Sequence, residues 1–283
     1  MRILITGANG QVGMALRRTL TNPSFECLFT DREELDMRDE DAVREMVLSY
    51  KPEVVVNCAA YTAVDKAESD TQACVEINQD AVRVLAEACT SIKARFIHIS
   101  TDYVYHNDKN RPLLEDDPTT PQSVYARTKL AGEKEALSAC AKTTILRTSW
   151  VFGLEGGNFV RTMIRLGSER EELTVVSDQI GAPTFADDIA KAILYVIETP
   201  DLDSGTYNYA GLGVASWYDF SRAIMNTYGL SCKVKPIPTK SYPTPAERPH
   251  YSVLDLQKAQ AAGFPFRHWH DALADFKDRD ATS

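Results

Sequence analysis

A tyrosine and a lysine four residues apart form a pair of side chains suited to acid–base chemistry. Tyr125 and Lys129 lie in a stretch that the residue pattern predicts to be a helix over 123–140. Side chains four positions apart share one face of a helix. An ammonium group beside a phenol stabilises the phenolate and lowers a pKa that is otherwise about 10, so the phenol becomes a general acid near neutral pH. We therefore predict Tyr125 as a proton donor whose pKa is lowered by Lys129.

A threonine at the end of a predicted strand strengthens this hypothesis, because a Tyr/Lys pair also arises by chance on a solvated helix face. The predicted strand 95–100 ends just before Thr101. Open parallel α/β sheets bind ligands at the carboxyl ends of their strands. We therefore expect the Thr101 hydroxyl to align a carbonyl group that is being reduced. His98, inside the same apolar strand, is predicted to be a buried sheet residue rather than a base.

A glycine-rich turn joins the first predicted strand to the first predicted helix. Residues 7–13 read GANGQVG. In such a turn the first glycine permits a tight bend, the second lets the backbone approach a pyrophosphate, and the third allows close packing of helix and strand. The free N–H groups of the helix terminus attract phosphates. The predicted cofactor contacts in this turn are Gly7, Asn9, Gly10, Gln11, Val12 and Gly13.

An acidic residue follows the second predicted strand, 25–30. Asp31 lies about where a carboxylate accepts hydrogen bonds from an adenosine ribose, which favours NAD. Arg32 beside it would pair with the 2′-phosphate of NADP, so use of both cofactors stays open. Asp36 and Met37 are expected to border the adenine, with a plain surface loop as an equally good alternative.

The order of predicted elements indicates the fold. Short β-branched runs alternate with amphipathic stretches over the first two thirds of the chain. This pattern is typical of an α/β protein with a Rossmann-type, doubly wound parallel sheet. We predict an NAD(P)-binding domain over 1–150 and a smaller, less regular substrate-binding lobe over 151–283, with the segment near 183–210 returning to the first domain. Residues 236–249 contain five prolines and are predicted to form a long loop.

Composition excludes several classes of protein. The net charge of −9 argues against nucleic acid as a partner. No segment approaches the ~20 apolar residues of a membrane span, so no membrane partner is expected. The six cysteines lack metal-ligand spacing, and the first residues lack the features of a signal peptide. We therefore expect a cytoplasmic protein without a metal site.

Seven segments of the sequence carry a family resemblance. They are GANGQVG at 7–13, NCAAYTAVDKAE at 57–68, STDYVY at 100–105, YARTK at 125–129, LRTSWVFG at 146–153, GAPTFADDIA at 181–190 and ERPHYSVLD at 247–255. Because these segments occur in this order along nearly the whole chain, the chain resembles the dTDP-4-dehydrorhamnose reductases, a family of the extended short-chain dehydrogenase/reductase superfamily. AYTAVDKAE and RTSWVFG are typical of this family rather than of the whole superfamily.

The resemblance implies that NADPH or NADH delivers a hydride to C4 of a 4-keto-6-deoxyhexose linked to thymidine diphosphate. It implies that Tyr125 donates the proton, Lys129 holds the nicotinamide ribose and Thr101 aligns the keto oxygen. The further implied cofactor contacts are Ala59, Ala60 and Thr62, and the implied substrate contacts are Asp102, Tyr103, Trp150 and Arg248, the last to the nucleotide or its phosphates.

Two departures from the family pattern affect these expectations. The chain has Tyr105 where the family commonly has phenylalanine, which changes the packing beside the pocket. Some members of the family dimerise through Mg²⁺ and an acidic residue early in the first helix. Residues 14–17 of this chain read MALR, without an acid, so we do not expect Mg²⁺ or a metal-linked dimer, and a homodimer of another kind stays open.

Three other functions remain compatible with the same residues. A nucleotide-sugar epimerase uses the same Thr, Tyr and Lys but keeps NAD bound throughout, and reductases of other 4-ketosugars share the whole set. The regulatory subunit of methionine adenosyltransferase resembles this same group of proteins and is not catalytic. A requirement for added NAD(P)H would favour the reductase, whereas tightly co-purified NAD⁺ would favour the epimerase.

Overall fold

The computed structural model describes residues 1–106 and 109–281. Its strands are β1 (Arg2–Thr6), β2 (Glu26–Thr30), β3 (Val54–Asn57), β4 (Arg95–Thr101), β5 (Thr143–Thr148), β6 (Val151–Phe152), β7 (Glu172–Val176), β8 (Ile180–Gly181), β9 (Thr184–Phe185), β10 (Gly205–Asn208), β11 (Ala215–Ser216) and β12 (Lys233–Ile237). Six of them form a parallel sheet in the order β10-β5-β4-β3-β1-β2. The predicted doubly wound parallel sheet is confirmed. Its strand order reverses between β1 and β3, which is where such sheets open a crevice for ligands.

Eleven α-helices occur in the described residues. They are α1 (Gln11–Thr19), α2 (Glu40–Tyr50), α3 (Val64–Ala67), α4 (Thr71–Val75), α5 (Ala81–Ile92), α6 (Val124–Ala139), α7 (Phe159–Glu169), α8 (Ala186–Glu198), α9 (Trp217–Tyr228), α10 (Gln257–Ala261) and α11 (Trp269–Asp280). One turn of π-helix, Glu76–Asp80, joins α4 to α5. The helix that carries the Tyr/Lys pair, α6, begins at Ser123, whose side chain accepts a hydrogen bond from the Ala126 N–H and so caps the helix.

Alternate residues of the strands fill two cores, one on each face of the sheet. Ile3 and Ile5 of β1 pack on the face covered by α1 and α8. Leu4, between them, packs on the opposite face with α2 and α5. Successive side chains of a strand point to opposite faces, so a fully apolar strand needs helices on both sides. The apolar runs therefore explain why the sheet lies in the middle of three layers.

The second half of the chain contributes to the sheet and also forms a separate aromatic core. β10 pairs in parallel with β5, and α8 packs against the sheet beside α1. Phe152, Phe185, Phe220 and Phe276 pack together in this aromatic core, which is separate from the two cores on the faces of the sheet. The sequence analysis did not predict β7, α9 or α11, which surround this core. The predicted domain limits stay a prediction.

The proline-rich segment differs from its prediction at its start. Pro236 and Ile237 were expected in a loop, but they end β12, which pairs in parallel with β7. A proline is tolerated there because β12 is paired on one side only. The rest of the segment is irregular, apart from one short 3-10 turn at Thr239–Ser241.

Three further observations bear on possible partners. Within 1–106 and 109–281, no helix has the length and apolar character needed to cross a membrane. The same residues contain no group of three or more His, Cys, Asp or Glu side chains arranged to hold a metal ion. All six cysteines are free thiols.

Candidate active site

A cavity of about 940 Å³ lies at the carboxyl ends of the central strands, in the crevice beside β1 and β3. Nearly all of the predicted site residues line it. These are Gly7, Asn9, Gly10, Gln11, Val12, Gly13, Asp31, Asp36, Met37, Ala59, Ala60, Thr62, Thr101, Asp102, Tyr103, Tyr125, Lys129 and Trp150. Arg248 is the one predicted site residue that does not line this cavity.

The glycine turn has the close contacts that were predicted for it. Gly7 has a φ of 65°, and a Cβ atom on it would lie 2.5 Å from the backbone N of Ala59, so a larger residue does not fit there. Gly10 caps α1 without any side-chain hydrogen bond, and the first turn of α1 contains no acidic residue. The N–H groups of residues 8–10 already donate hydrogen bonds within the protein. Those of Gln11 and Val12, at the start of α1, remain available to an anion, and this helix terminus fits the pyrophosphate of a dinucleotide.

Asp31 and its neighbours form one end of the cavity. One carboxylate oxygen of Asp31 accepts a hydrogen bond of 2.7 Å from the backbone N of Asn9, so Asp31 also fixes the glycine turn. Asp36 accepts hydrogen bonds from the Arg38 guanidinium, which lower the pKa of this carboxyl to about 2. Arg32 lies on the same wall, with its Nε 4.0 Å from Asp36. Sequence reasoning missed Arg38, although the alternation of acidic and basic residues over 31–38 was a signal.

Tyr125 and Thr101 meet on the cavity wall. Burial raises the pKa of Tyr125 above its usual range, and a hydrogen bond donated by the Thr101 hydroxyl, which favours the phenolate, offsets this only in part. The ring of Tyr103 packs edge-on against Tyr125, with centroids 5.7 Å apart. Tyr125 is therefore a protonated phenol near neutral pH, which is the form that donates a proton.

Lys129 is held away from the role that the sequence suggested. Its side chain is only 2% exposed, and burial lowers its pKa to about 8. The Nζ atom donates a hydrogen bond of 2.7 Å to the Ile99 carbonyl and lies 3.2 Å from Nε2 of His98. The prediction that Lys129 lowers the pKa of Tyr125 is therefore wrong in this arrangement, because β4 binds the amine. His98 is buried in β4, as predicted.

Polar groups suited to a hydroxylated ligand face the same cavity. Asp102 is 2% exposed, and burial raises the pKa of its carboxyl to about 6, although hydrogen bonds from Ser252 and Thr101 oppose this. Thr148 also lines the cavity, and its buried hydroxyl oxygen has no hydrogen-bond partner among the residues that the structure describes. Buried polar atoms normally have partners, so this part of the wall is suited to a ligand with hydroxyl groups.

Two tryptophans line the cavity side by side. Trp150 follows β5 with a φ of 47°, and its indole ring stacks on that of Trp217. Sequence reasoning predicted Trp150 and missed Trp217. Residues 216–219 nevertheless form a capping box, with Ser216 and Asp219 bonded reciprocally, so the spacing was a signal for a helix that begins at Trp217.

Arg248 lines a second cavity of about 670 Å³, which is formed largely by the proline-rich segment. Its guanidinium pairs with Asp65, at 2.7 and 3.0 Å from the two carboxylate oxygens. Asp65 follows the strand β3 in the segment AYTAVDKAE, so this ion pair ties the proline-rich segment to the sheet. The predicted contact between Arg248 and a nucleotide stays a prediction.

The sequence of the chain matches a known protein family over nearly its whole length. The family model described as the RmlD substrate binding domain matches residues 1–281. The chain belongs to this family. The resemblance to the dTDP-4-dehydrorhamnose reductases is thereby confirmed, and so is the Rossmann-like α/β fold.

Similar proteins in this family have names or structures that bear on function. The chain is 42% identical over 274 residues to a dTDP-4-dehydrorhamnose reductase of Escherichia coli (strain K12), covering 92% of this chain and 91% of the relative. A crystal structure of a dTDP-4-dehydrorhamnose reductase from Clostridium acetobutylicum is 41% identical, with a TM-score of 0.95 and coverage of 98% and 99%. A dTDP-4-dehydrorhamnose reductase from Bacillus anthracis in complex with NADP is 36% identical, with a TM-score of 0.94 and the same coverage.

Proposed function

We propose that the protein reduces the 4-keto group of dTDP-4-dehydro-L-rhamnose to give dTDP-L-rhamnose, with NADPH or NADH as the reductant. The observation that carries this proposal is the presence of Thr101, Tyr125 and Lys129 on the wall of the cavity that begins at the glycine turn. The names of the relatives support the sugar nucleotide, and the NADP complex of one of them supports the cofactor.

The bound dihydronicotinamide supplies the hydride in this reaction. The N–H groups at the start of α1, directly after the glycine turn, bind the pyrophosphate, and Lys129 holds the nicotinamide ribose. Thr101 donates a hydrogen bond that orients the keto oxygen at C4, and Tyr125 donates its phenolic proton to that oxygen. The high pKa of Tyr125 keeps this proton in place until negative charge develops on the oxygen.

The remaining cavity residues bind the substrate. Asp102, Tyr103 and Trp150 surround the hexose, with Trp217 completing the aromatic wall. The thymidine diphosphate extends toward the second cavity, where Arg248 lies beside the proline-rich segment. Arg248 is only partly engaged by Asp65 and has further donors for a phosphate.

The proposal also includes the organisation of the protein. We infer a cofactor domain over 1–150 that also takes in the segment near 183–210, because β10 pairs with β5. Residues 151–283 supply the remaining substrate-binding lobe. The protein works in the cytoplasm, as a monomer or as a homodimer that needs no Mg²⁺.

The test is oxidation of NADPH and of NADH by the purified protein with dTDP-4-dehydro-L-rhamnose. dTDP-4-dehydro-6-deoxy-D-glucose serves as the matched substrate, because it has the same keto group on a differently configured ring. We expect oxidation with the first sugar and little with the second. Turnover without added reduced cofactor, from tightly bound NAD⁺, would indicate an epimerase. Binding to a methionine adenosyltransferase without any oxidation of NADPH would indicate the regulatory subunit.

A further inference from the structure

Thr148, the last residue of β5, carries a hydroxyl group that the described part of the chain leaves without a partner. Thr148 lines the main cavity and is 5% exposed, and its hydroxyl oxygen is buried without a hydrogen bond. The hydroxyl of the next residue, Ser149, instead donates a hydrogen bond of 2.7 Å to the Ala182 carbonyl. Of these two neighbouring hydroxyl groups, only the unpaired one belongs to a residue that lines the cavity.

An unpaired hydroxyl at this position is unfavourable for folding. A buried hydroxyl group normally has a partner, because it loses its hydrogen bonds to water when the chain folds. A valine has nearly the same shape and leaves no polar atom unpaired, so folding alone favours valine at position 148. The hydroxyl of Thr148 therefore indicates a ligand that supplies the missing hydrogen bond.

The register of the sheet places Thr148 beside the reacting groups. Thr148 pairs with Thr101 of β4 in the parallel ladder, and neighbouring strands lie about 4.8 Å apart. Thr101 in turn is hydrogen-bonded to Tyr125. The carbon that gives up the hydride has to come within about 3.5 Å of the carbon that receives it. The group bound by Thr148 is therefore close to the reacting carbons, on the nicotinamide or on the hexose.

Apolar side chains line the cavity on the same face of the sheet as Thr148. Leu146, two residues before Thr148, packs in the core that α1 and α8 cover. Alternate residues of a strand share one face, so Thr148 is on this side as well. Val12, Ile99 and Val151 pack against the same core and also line the cavity. Thr148 thus adds a hydroxyl group to a wall that contains three branched aliphatic side chains.

An aliphatic wall with one added hydroxyl group matches a nicotinamide better than a hexose. Nicotinamide is a flat ring with a single carboxamide substituent, which is attached next to the carbon that gives up the hydride. A hexose carries hydroxyl groups on most of its carbons, and Asp102, Tyr103 and Trp150 offer it polar and aromatic groups elsewhere in the cavity. A threonine hydroxyl can donate to the carboxamide oxygen and can also accept from the carboxamide nitrogen.

We propose that Thr148 binds the carboxamide of the nicotinamide, while Val12, Ile99 and Val151 pack against the ring. This contact fixes the rotation of the ring about its bond to the ribose, and so determines which face of the ring is turned toward the keto carbon. The effect on hydride transfer rests on the proposed function. The contact itself does not, because binding of the cofactor can be measured without any sugar.

The first measurement is the Kd of NADPH for Thr148→Val, by calorimetry in the absence of sugar. We expect it to rise roughly threefold to tenfold, the usual effect of losing one hydrogen bond. The matched ligand is 2′-phospho-ADP-ribose, which lacks the nicotinamide and retains the rest of the cofactor, and its Kd should not change. Thr148→Ser keeps the hydroxyl group and should recover most of the affinity for NADPH.

Three results of this measurement would overturn the proposal. An equal rise in Kd for both ligands would mean that the substitution disturbs the whole cofactor site. An unchanged Kd for NADPH, with a raised KM for the sugar nucleotide, would assign Thr148 to the hexose and leave the proposed function intact. Failure of the unaltered protein to bind NADPH would overturn the proposed function together with this inference.

The second measurement is the thermal unfolding of the same variants without any ligand. We expect Thr148→Val to have the same Tm as the unaltered protein or a higher one, because valine leaves no hydroxyl group unpaired. Ser149→Ala is the matched control, since it removes a hydroxyl group that is bonded to the Ala182 carbonyl. It should lower the Tm and leave the Kd of NADPH unchanged. A lowered Tm or a failure to fold in Thr148→Val would mean that its hydroxyl has a partner in the free protein, and would overturn the proposal.

Discussion

The indole rings of Trp150 and Trp217 lie flat on one another, with their centroids 3.5 Å apart and their planes within 5°. Trp150 follows the sheet strand β5, whereas Trp217 begins α9 beside the aromatic core of the second half. A Cβ atom on Gly181 would lie 2.6 Å from the Trp150 ring, so Trp150 rests on the backbone at Gly181. The stack therefore joins the two parts of the chain at the cavity wall.

This stack leads to a prediction for Trp217→Ala. An aromatic pair contributes roughly 0.5–1.5 kcal/mol beyond its buried area, so loss of the partner leaves Trp150 less well fixed against the hexose. We expect KM for the sugar nucleotide to rise roughly twofold to tenfold. The Kd of NADPH, measured by calorimetry, should not change. Trp217→Phe is the control and should recover part of the loss. A change confined to NADPH binding would contradict the assignment.

The prediction for Tyr125→Phe concerns the proton itself. The variant keeps the ring and its edge-on packing with Tyr103 but loses the acidic hydroxyl. We expect normal folding and a loss of at least ~100-fold in kcat, the usual contribution of a general acid. Thermal unfolding checks that the variant folds normally, and steady-state kinetics measure the loss in kcat. Near-normal turnover would remove Tyr125 from its role as donor.

The parts of the site that the sequence predicted are set by short-range spacing. Residues 7–13 join one strand to one helix, so their position at the carboxyl end of β1 follows from the order of elements alone. Thr101 follows the same logic, because the carboxyl ends of parallel strands share one edge of the sheet. Tyr125 lies in the first turn of α6, the helix that connects the parallel strands β4 and β5 and therefore begins at that edge. The identity and spacing of these residues were enough to place them on one cavity.

The parts that the sequence missed depend on long-range contacts and on burial. Helical spacing puts Lys129 on the face of Tyr125, but only the folded structure shows that Ile99 and His98 bind the amine. Likewise, the pairing of Arg248 with Asp65 joins residues that are 183 positions apart. No local pattern specifies which of several possible partners a buried polar group takes, so these contacts were not predictable.

The prediction for Arg32→Ala tests cofactor choice. Arg32 lines the end of the cavity near Asp31, and its side chain is 74% exposed. An exposed charge pair contributes up to about 1 kcal/mol, so we expect KM for NADPH to rise by roughly fivefold. KM for NADH should stay constant, because NADH lacks the 2′-phosphate. Arg17→Ala, an exposed arginine outside the cavity wall, is the control. An equal rise for both cofactors would argue against a 2′-phosphate site at Arg32.

Asp31→Ala is a less selective probe of cofactor choice than Arg32→Ala. Asp31 favours NADH through the adenosine ribose, so its loss should weaken NADH more than NADPH. The carboxylate, however, also accepts the Asn9 N–H and so fixes the glycine turn that both cofactors need. We therefore expect Asp31→Ala to weaken both, with the larger effect on NADH.

The raised pKa of Asp102 has a consequence for stability. Its carboxyl has a pKa of about 6 in the folded protein, against about 3.9 in an unfolded chain. Between these two pH values the folded state binds a proton that the unfolded state has lost, so stability falls as pH rises through this window. Above it, the buried charge costs about 3 kcal/mol in the free energy of unfolding.

Asp102→Asn should remove this dependence, because an amide stays neutral at every pH. We expect the free energy of unfolding of the variant, relative to the unaltered protein, to increase by about 2 kcal/mol from pH 4 to pH 7. Urea denaturation at each pH measures this difference. A loss of stability from altered hydrogen bonds is the same at every pH and therefore does not affect the change with pH. Asp117→Asn is a control of opposite sign, because Arg111 lowers the pKa of Asp117. That variant should be least stable, relative to the unaltered protein, near neutral pH. A pH-independent difference for Asp102→Asn would mean that folding does not raise the pKa of this carboxyl.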